Sequence, residues 1–110
     1  MEVSEEFRRT FQTYGYKTGF LKLAILRIVE RGPIHGYALM GEIERITEDD
    51  WRPSPGSLYP ALRDLQKKGL IASESEGRKK IYSITPLGER VLEEALDHVR
   101  SVLRQIGALF

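Results

Sequence analysis

The chain is 110 residues long, carries 17 Lys and Arg against 16 Asp and Glu, and contains no cysteine; this supports one domain with a modest core and excludes disulfides and thiolate metal sites. No apolar run approaches the ~20 residues of a membrane-spanning helix, and the charged start MEVSEEFRRTF lacks a signal-peptide core, so a cytoplasmic protein without membrane contact is expected. The net charge of +1 neither favours nor excludes a nucleic-acid partner, because binding depends on where the charge sits.

Phe7, Phe11 and Tyr14 recur at i, i+4 and i+7, which predicts a short helix over 4–14 with one aromatic stripe. A stripe on so short a helix needs a second surface to cover it. Tyr14 to Gly19 reads as a connector. From Phe20 to Arg31 apolar residues occupy most faces, with Leu21, Ala24, Ile25, Ile28 and Val29 as the main stripe, and such a helix is buried. Gly32-Pro33 stops it. His35 to about Thr47 forms the next helix, with Leu39, Ile43 and Ile46 at core spacing. Glu48 to Pro53 is a turn, and Trp51 within it is expected in the core.

The third helix raises a boundary question. Ser54-Pro55 has the form of an N-cap followed by Pro at the first helical position. Pro60 would then lie inside the helix, with no amide to donate and its ring against the carbonyl of Gly56. Beginning the regular helix near Gly56 or Ser57 relieves this, so Pro55 to Ser57 is expected to be loose or 3₁₀-like. Leu58, Ala61, Leu62 and Leu65 make the core face, and Lys67-Lys68-Gly69-Leu70 ends the helix with cations and a left-handed glycine. Leu70 to Ser75 and Lys80 to Ile84 are β-compatible and flank the turn Glu76 to Lys79, which gives a two-stranded hairpin leaning on the helices. Thr85-Pro86 caps a last helix that runs to the end of the sequence. Along it Leu92, Leu96, Val99, Leu103, Ile106 and Phe110 alternate at spacings of four and three, the seam of paired helices.

The charge is concentrated between Arg52 and Thr85, where seven Lys or Arg accompany three acids. Opposite its core stripe the third helix presents Gly56, Pro60, Arg63 and Lys67, with Ser57 and Tyr59 on the flanks near its N-terminus. A recognition helix enters the major groove by that end. Ser57 and Tyr59 can donate to phosphates or bases, and Arg63 can pair with guanine through two hydrogen bonds. A merely solvated face has the same composition, and Asp64 repels phosphate unless it accepts from a cytosine amine. Arg78, Lys79 and Lys80 cluster at the hairpin tip, where three cations repel one another without a counter-surface such as phosphate. His35-Gly36-Tyr37 opens the second helix, either to hold a phosphate on its amides or as a cap and a packed aromatic. Tyr82 reads as packing. His35 and His98 stand on different elements, neither at metal-ligand spacing from a carboxylate or another histidine, and no phosphate loop or nucleophile elbow occurs. No catalysis, metal or cofactor is expected.

Together SPGSLYPAL (54–62), KKGLI (67–71) and GRKKIYSITPLG (77–88), with HGY at 35–37 and Trp51, closely resemble the PadR-like transcriptional regulators from Leu21 to about Leu92. The resemblance implies a mainly α fold with a small β-hairpin. A winged helix-turn-helix domain would occupy 20–84, and a C-terminal dimerisation helix 85–110. An N-terminal helix and connector over 1–19 would pack on the partner's last helix. It also implies a homodimer on a palindromic double-stranded DNA operator, usually a repressor, often released by a small molecule. DNA contacts then fall on Tyr37, Ser57, Tyr59, Pro60, Arg63 and Lys67, and on Arg78, Lys79 and Lys80 of the wing. Dimer contacts fall on Phe7, Phe11, Leu92, Leu96, Val99, Leu103, Ile106 and Phe110. One helix after the wing marks the short subgroup, some of whose members hold planar drugs between tryptophans of the last helix. Here that helix has none, and Val99 and Leu103 leave either a small hydrophobic effector site or a plain apolar seam. The other reading is a winged helix that docks an acidic protein partner with its basic wing.

Overall fold

The computed structural model describes residues 14–110, so the expected helix over 4–14, with Phe7 and Phe11, falls almost wholly outside the described residues. The first described helix, α1 (Tyr14–Glu30), begins where a connector was expected. Gly15 and Gly19 each cost about 1 kcal/mol inside a helix, but lengthening an existing helix gains a hydrogen bond per residue without a new nucleus. Its apolar residues are buried on several sides: Leu21, Ala24, Ile25, Leu26, Ile28 and Val29 all join the core. Phe20 packs at the edge, its ring centroid 5.6 Å from that of Trp51, which lies half-buried against the core rather than inside it.

A two-residue strand, β1 (Ile34–His35), precedes α2 (Gly36–Ile46), so this helix starts after His35 rather than at it. Two residues are too few for a periodic signal, and their partners, Tyr82 and Ile81, lie far along the chain. α2 buries Leu39, Met40 and Ile43, whereas Ile46 sits at its end, 39% exposed, off the core stripe assigned to it. Thr47 organises the following turn: its Oγ1 donates to the Ile43 carbonyl (2.8 Å) and accepts from the Trp51 amide (3.3 Å).

α3 (Pro55–Lys67) is helical from Pro55, against the expected later start. The Ser54 cap decides this, with Oγ accepting from the Ser57 amide at 3.2 Å. Both the Ser57 and Leu58 amides also donate to the Ser54 carbonyl, so the first turn keeps some 3₁₀ character. Pro60 does lie inside the helix. It deprives the Gly56 carbonyl of its helical donor, but Gly56 is exposed and water can take that bond. At the other end Leu70 N donates to Leu65 O and Gly69 N to Gln66 O, both 3.0 Å, with Gly69 at φ +75°. This double closure satisfies two terminal carbonyls and drops Leu70 into the core.

β2 (Ile71–Glu76) and β3 (Lys79–Ile84) pair antiparallel through a two-residue loop, Gly77-Arg78, with Gly77 at φ +64°. The expected two-stranded hairpin is thus part of a three-stranded sheet in the order β1-β3-β2. β1 fixes the base of the wing to the start of α2, and Tyr82, opposite Ile34, faces the core.

α4 (Pro86–Gly107) is capped by Thr85, whose Oγ1 accepts from the Gly88 amide at 3.0 Å. Leu92 is fully buried, with Val91 and Leu96 half-buried against the core. Beyond them Val99, Leu103, Ile106 and Phe110 are 36%, 61%, 46% and 100% exposed. A 22-residue helix is about 33 Å long, and the long axis of the molecule is 50 Å. Four helices and a three-stranded wing among the described residues make a winged-helix domain with one projecting apolar arm.

Candidate nucleic-acid interface

The outer face of α3 is built by subtraction. Once Leu58, Ala61, Leu62 and Leu65 are buried, helical geometry leaves Ser57, Pro60, Arg63 and Lys67 exposed, with Tyr59 half-buried between the faces. Asp64, the one acid of this helix, does not oppose a negative partner. Its carboxylate is held by Lys22 Nζ at 2.8 Å and Lys68 Nζ at 2.9 Å. Hydrogen bonds from Lys22 and then Lys68 pull its pKa down to about 2. The same bridge ties α3 to α1, so a charge that sequence reasoning set against DNA instead positions the helix.

The wing reaches the same side. Arg78, Lys79 and Lys80 are all exposed at the hairpin end. Gln66 Nε2 on α3 donates to Ser73 Oγ on β2 at 3.0 Å, fixing the wing against the helix. From the third direction comes Tyr37 in the first turn of α2, 72% exposed. The Arg52 guanidinium stands 5.9 Å from the centre of its ring and 3.4 Å from Glu44, within cation–π range, so the tyrosine is oriented though hardly buried.

These parts enclose a cavity of about 560 Å³. It gathers Tyr37, Tyr59, Arg63, Arg78, Lys79 and Lys80, six of the nine residues assigned to DNA contact. Ser57, Pro60 and Lys67 do not line it; they lie on the exposed side of α3, and Ser57 Oγ accepts from Ser54 Oγ at 3.2 Å. The cavity adds residues that the sequence had not assigned, Gln66 and Ala38 among them. Gln66 was within reach of helical spacing, being three residues after Arg63 and seven after Tyr59. Gly36 is the less visible addition. A Cβ there would stand 3.2 Å from Tyr59 Cε1 and 3.3 Å from Tyr82 Cε2, so its hydrogen lets two aromatic rings close the floor.

Two features set the chemistry of this face. Among the described residues no carboxylate lines the cavity. Among the described residues none of Arg63, Arg78, Lys79 and Lys80 has an ion-pair partner, whereas Lys22, Arg27, Arg45, Arg52, Lys68 and Arg100 all do. Below the cations, burial and then the neighbouring Tyr59 push the Tyr82 hydroxyl above its usual pKa, with Arg63 partly offsetting, so it stays a neutral donor. His35 completes the edge of the cavity. It occupies the N-cap position of α2 without capping it, and its Nε2 is buried with no hydrogen-bond partner among the described residues. No group of three or more His, Asp or Glu that could hold a metal occurs among the described residues, and no described helix is long and apolar enough to cross a membrane. Val99 and Leu103 lie on the free half of α4 and take no part in the cavity.

The family model of the PadR-like transcriptional regulators matches residues 25–94, from the middle of α1 into α4 and across every residue of the cavity. The chain belongs to this PadR-like family. It is 42% identical over 91 residues to the transcriptional regulator YqjI of Escherichia coli, a match that covers 82% of this chain but 44% of that one. The transcriptional regulator Rv3488 of Mycobacterium tuberculosis is 32% identical over 95 residues, with 83% of this chain and 86% of the relative covered. Among solved structures, a PadR family transcriptional regulator from Eggerthella lenta superposes with a TM-score of 0.77 at 27% identity, covering 98% of this chain and 96% of that one. PadR-like regulators are DNA-binding proteins. The share of YqjI that this chain spans is less than half, so the likeness concerns the PadR module and not that protein as a whole.

Proposed function

We propose that this chain is a homodimeric transcriptional repressor acting on a palindromic DNA operator in the cytoplasm. The observation that carries this reading is the convergence of Arg63 with Arg78, Lys79 and Lys80, from two elements, on one cavity whose described lining contains no carboxylate. Residues 20–84 form the reading head. α3 enters the major groove by its N-terminus, with Ser57, Tyr59 and Pro60 against the groove wall and Arg63 on a base edge. The wing cations and Lys67 take phosphates, and Tyr37 donates to the backbone beside them.

Residues 85–110 join two heads. The exposed stripe of Val99, Leu103, Ile106 and Phe110 continues the buried Leu92 and half-buried Leu96 in one heptad register. A second copy covers it, and Phe7 and Phe11 in residues 1–19 of that copy seal its edge. Two such heads address successive major grooves about 34 Å apart, and occupancy of that site blocks transcription. A small hydrophobic effector at the seam, between Val99 and Leu103 of the two copies, would adjust the pairing.

The test is a gel-shift with the DNA upstream of the chain's own gene, across a salt series and with excess random DNA. A discrete complex that survives the competitor at about 0.15 M salt supports the proposal. Equal affinity for random DNA, or none at all, would turn the reading to a winged helix that docks protein partners.

A further inference from the structure

The cavity at the proposed reading face is a half-open cleft, larger than a DNA backbone contact requires. A phosphodiester needs two or three donors on an open surface. Here about 560 Å³ is bounded on three sides by α2, α3 and the wing, a volume within the roughly 300–1,000 Å³ of small-molecule sites. Its composition divides in two. Tyr59 and Tyr82 close the floor against Gly36, with Tyr37 at the mouth, and aromatic faces of this kind take a planar ring. Beside them stand Arg63, Arg78, Lys79 and Lys80, none with an ion-pair partner among the described residues. The buried Nε2 of His35 adds an unused polar contact at the edge.

We infer that this cavity binds a phosphate monoester carried on a planar ring, a nucleoside monophosphate or an aromatic phosphate, and that such a ligand competes with DNA. Charge selects the monoester. It carries about −1.5 to −2 at pH 7, where a carboxylate or a backbone phosphodiester carries −1, so it satisfies more of the four cations at one point. Arg63 supplies a planar fork from α3, and Lys79 and Lys80 supply point charges from the wing. Tyr59 stacks beneath the ring. Because Arg63, Lys79 and Lys80 are also the proposed DNA contacts, ligand and operator exclude each other. The competition rests on the DNA reading above; the binding of the ligand does not.

Calorimetry without DNA tests the site directly, using AMP, phenyl phosphate, adenosine and inorganic phosphate as probes. AMP or phenyl phosphate should saturate below about 1 mM, with adenosine and inorganic phosphate each at least about tenfold weaker. Equal binding of the two ring phosphates assigns the floor to any planar ring, and tighter AMP assigns it to a nucleobase. Arg63→Ala and Lys80→Ala, both exposed positions, should weaken the ring phosphate at least about tenfold, while Arg90→Ala on α4 leaves it unchanged. In a second arm, the polarisation of labelled upstream DNA should fall to its free value as the ring phosphate saturates. No saturable heat from either ring phosphate, or equal loss with Arg90→Ala, overturns the inference even if DNA binding stands. Saturable binding by a chain that ignores DNA would instead sink the repressor proposal and leave the site intact. Saturation of the site with DNA still bound overturns the competition.

Discussion

Replacing Gly88 by alanine separates two physical effects of opposite sign. Gly88 lies in the first turn of α4, where alanine has the higher helix propensity by about 1 kcal/mol. Propensity alone therefore makes Gly88→Ala stabilising. The packing says otherwise, because an added Cβ would stand 2.0 Å from the Leu70 carbonyl oxygen and 2.8 Å from Ile84 Cγ1. The first of these is backbone, anchored in the core and accepting from the Thr85 amide at 3.1 Å, so it cannot rotate away. Overpacking costs about 1–3 kcal/mol and more where the obstacle is rigid. Displacing α4 also breaks the Thr85 cap, about 1 kcal/mol further. After subtracting the propensity gain, a net loss of about 1–3 kcal/mol remains. For a domain of this size that lowers Tm by roughly 5–20 °C. Thermal unfolding followed by far-UV circular dichroism, at equal protein concentration because self-association would make Tm depend on it, measures the shift. Gly107→Ala, in the same helix with nothing within 4 Å of the added atom, supplies the control and should hold or raise Tm. A Gly88→Ala protein as stable as its parent would refute the reasoning.

Three further outcomes are expected. Asp64 has its pKa depressed from 3.8 to about 2 by Lys22 and Lys68, so its stabilising effect is complete above the ordinary carboxylate range and is lost as pH falls through about 2. The stability gap between the parent and Asp64→Asn should therefore be constant above about pH 5 and close between pH 4 and 2; a gap that widens with acid contradicts the bridge. Leu103→Arg puts a charge on the exposed stripe of α4 and should give a monomer in sedimentation equilibrium with the reading head still folded; an intact dimer removes this stripe from the seam. Arg63→Ala should cost about 1–3 kcal/mol of operator binding and relax one base preference, whereas Lys79→Ala should weaken all sequences alike and reduce the salt slope by about one, which a binding-site selection and a salt titration distinguish.

The sequence was readable where a residue's neighbours along the chain decide its state. The Ser54, Thr85 and Gly69 helix ends, the core stripe of α3 and the basic wing tip all follow from spacing and caps within a few residues. What escaped it depends on partners distant in sequence. β1 exists because Ile34 and His35 meet Tyr82 and Ile81, and nothing in two residues announces a strand. Asp64 looked hostile to DNA because Lys22, on another helix, is invisible from its own surroundings. The start of α3 is a different case, because there a helix cap and an interior proline act in opposite directions. A cap satisfied by Ser54 outweighed a proline whose lost hydrogen bond faces water. Gly36 and Gln66 joined the site for reasons of shape, which appear only once α2, α3 and the wing are assembled.

The assembled junction also bears on how the two heads would be controlled. Leu70 closes the end of α3 through its amide, and its carbonyl receives both the Thr85 amide and, at 3.1 Å, Thr85 Oγ1. Thr85 Oγ1 also reaches the Gly69 carbonyl at 2.6 Å, and Gly88 sits directly against Leu70. The last turn of α3 and the first turn of α4 are therefore one rigid piece, with no linker between them. Leu92 continues that piece into the single core shared by α1, α2, α3 and the wing. Packed interiors of this kind do not deform gradually. A ligand at Val99 and Leu103 in the proposed dimer would then leave each head unchanged and alter only the distance and angle between two heads. Affinity for an isolated half-site should stay constant on adding such a ligand, while affinity for the full operator falls. A ligand that weakens both equally would show that the junction at Leu70 yields.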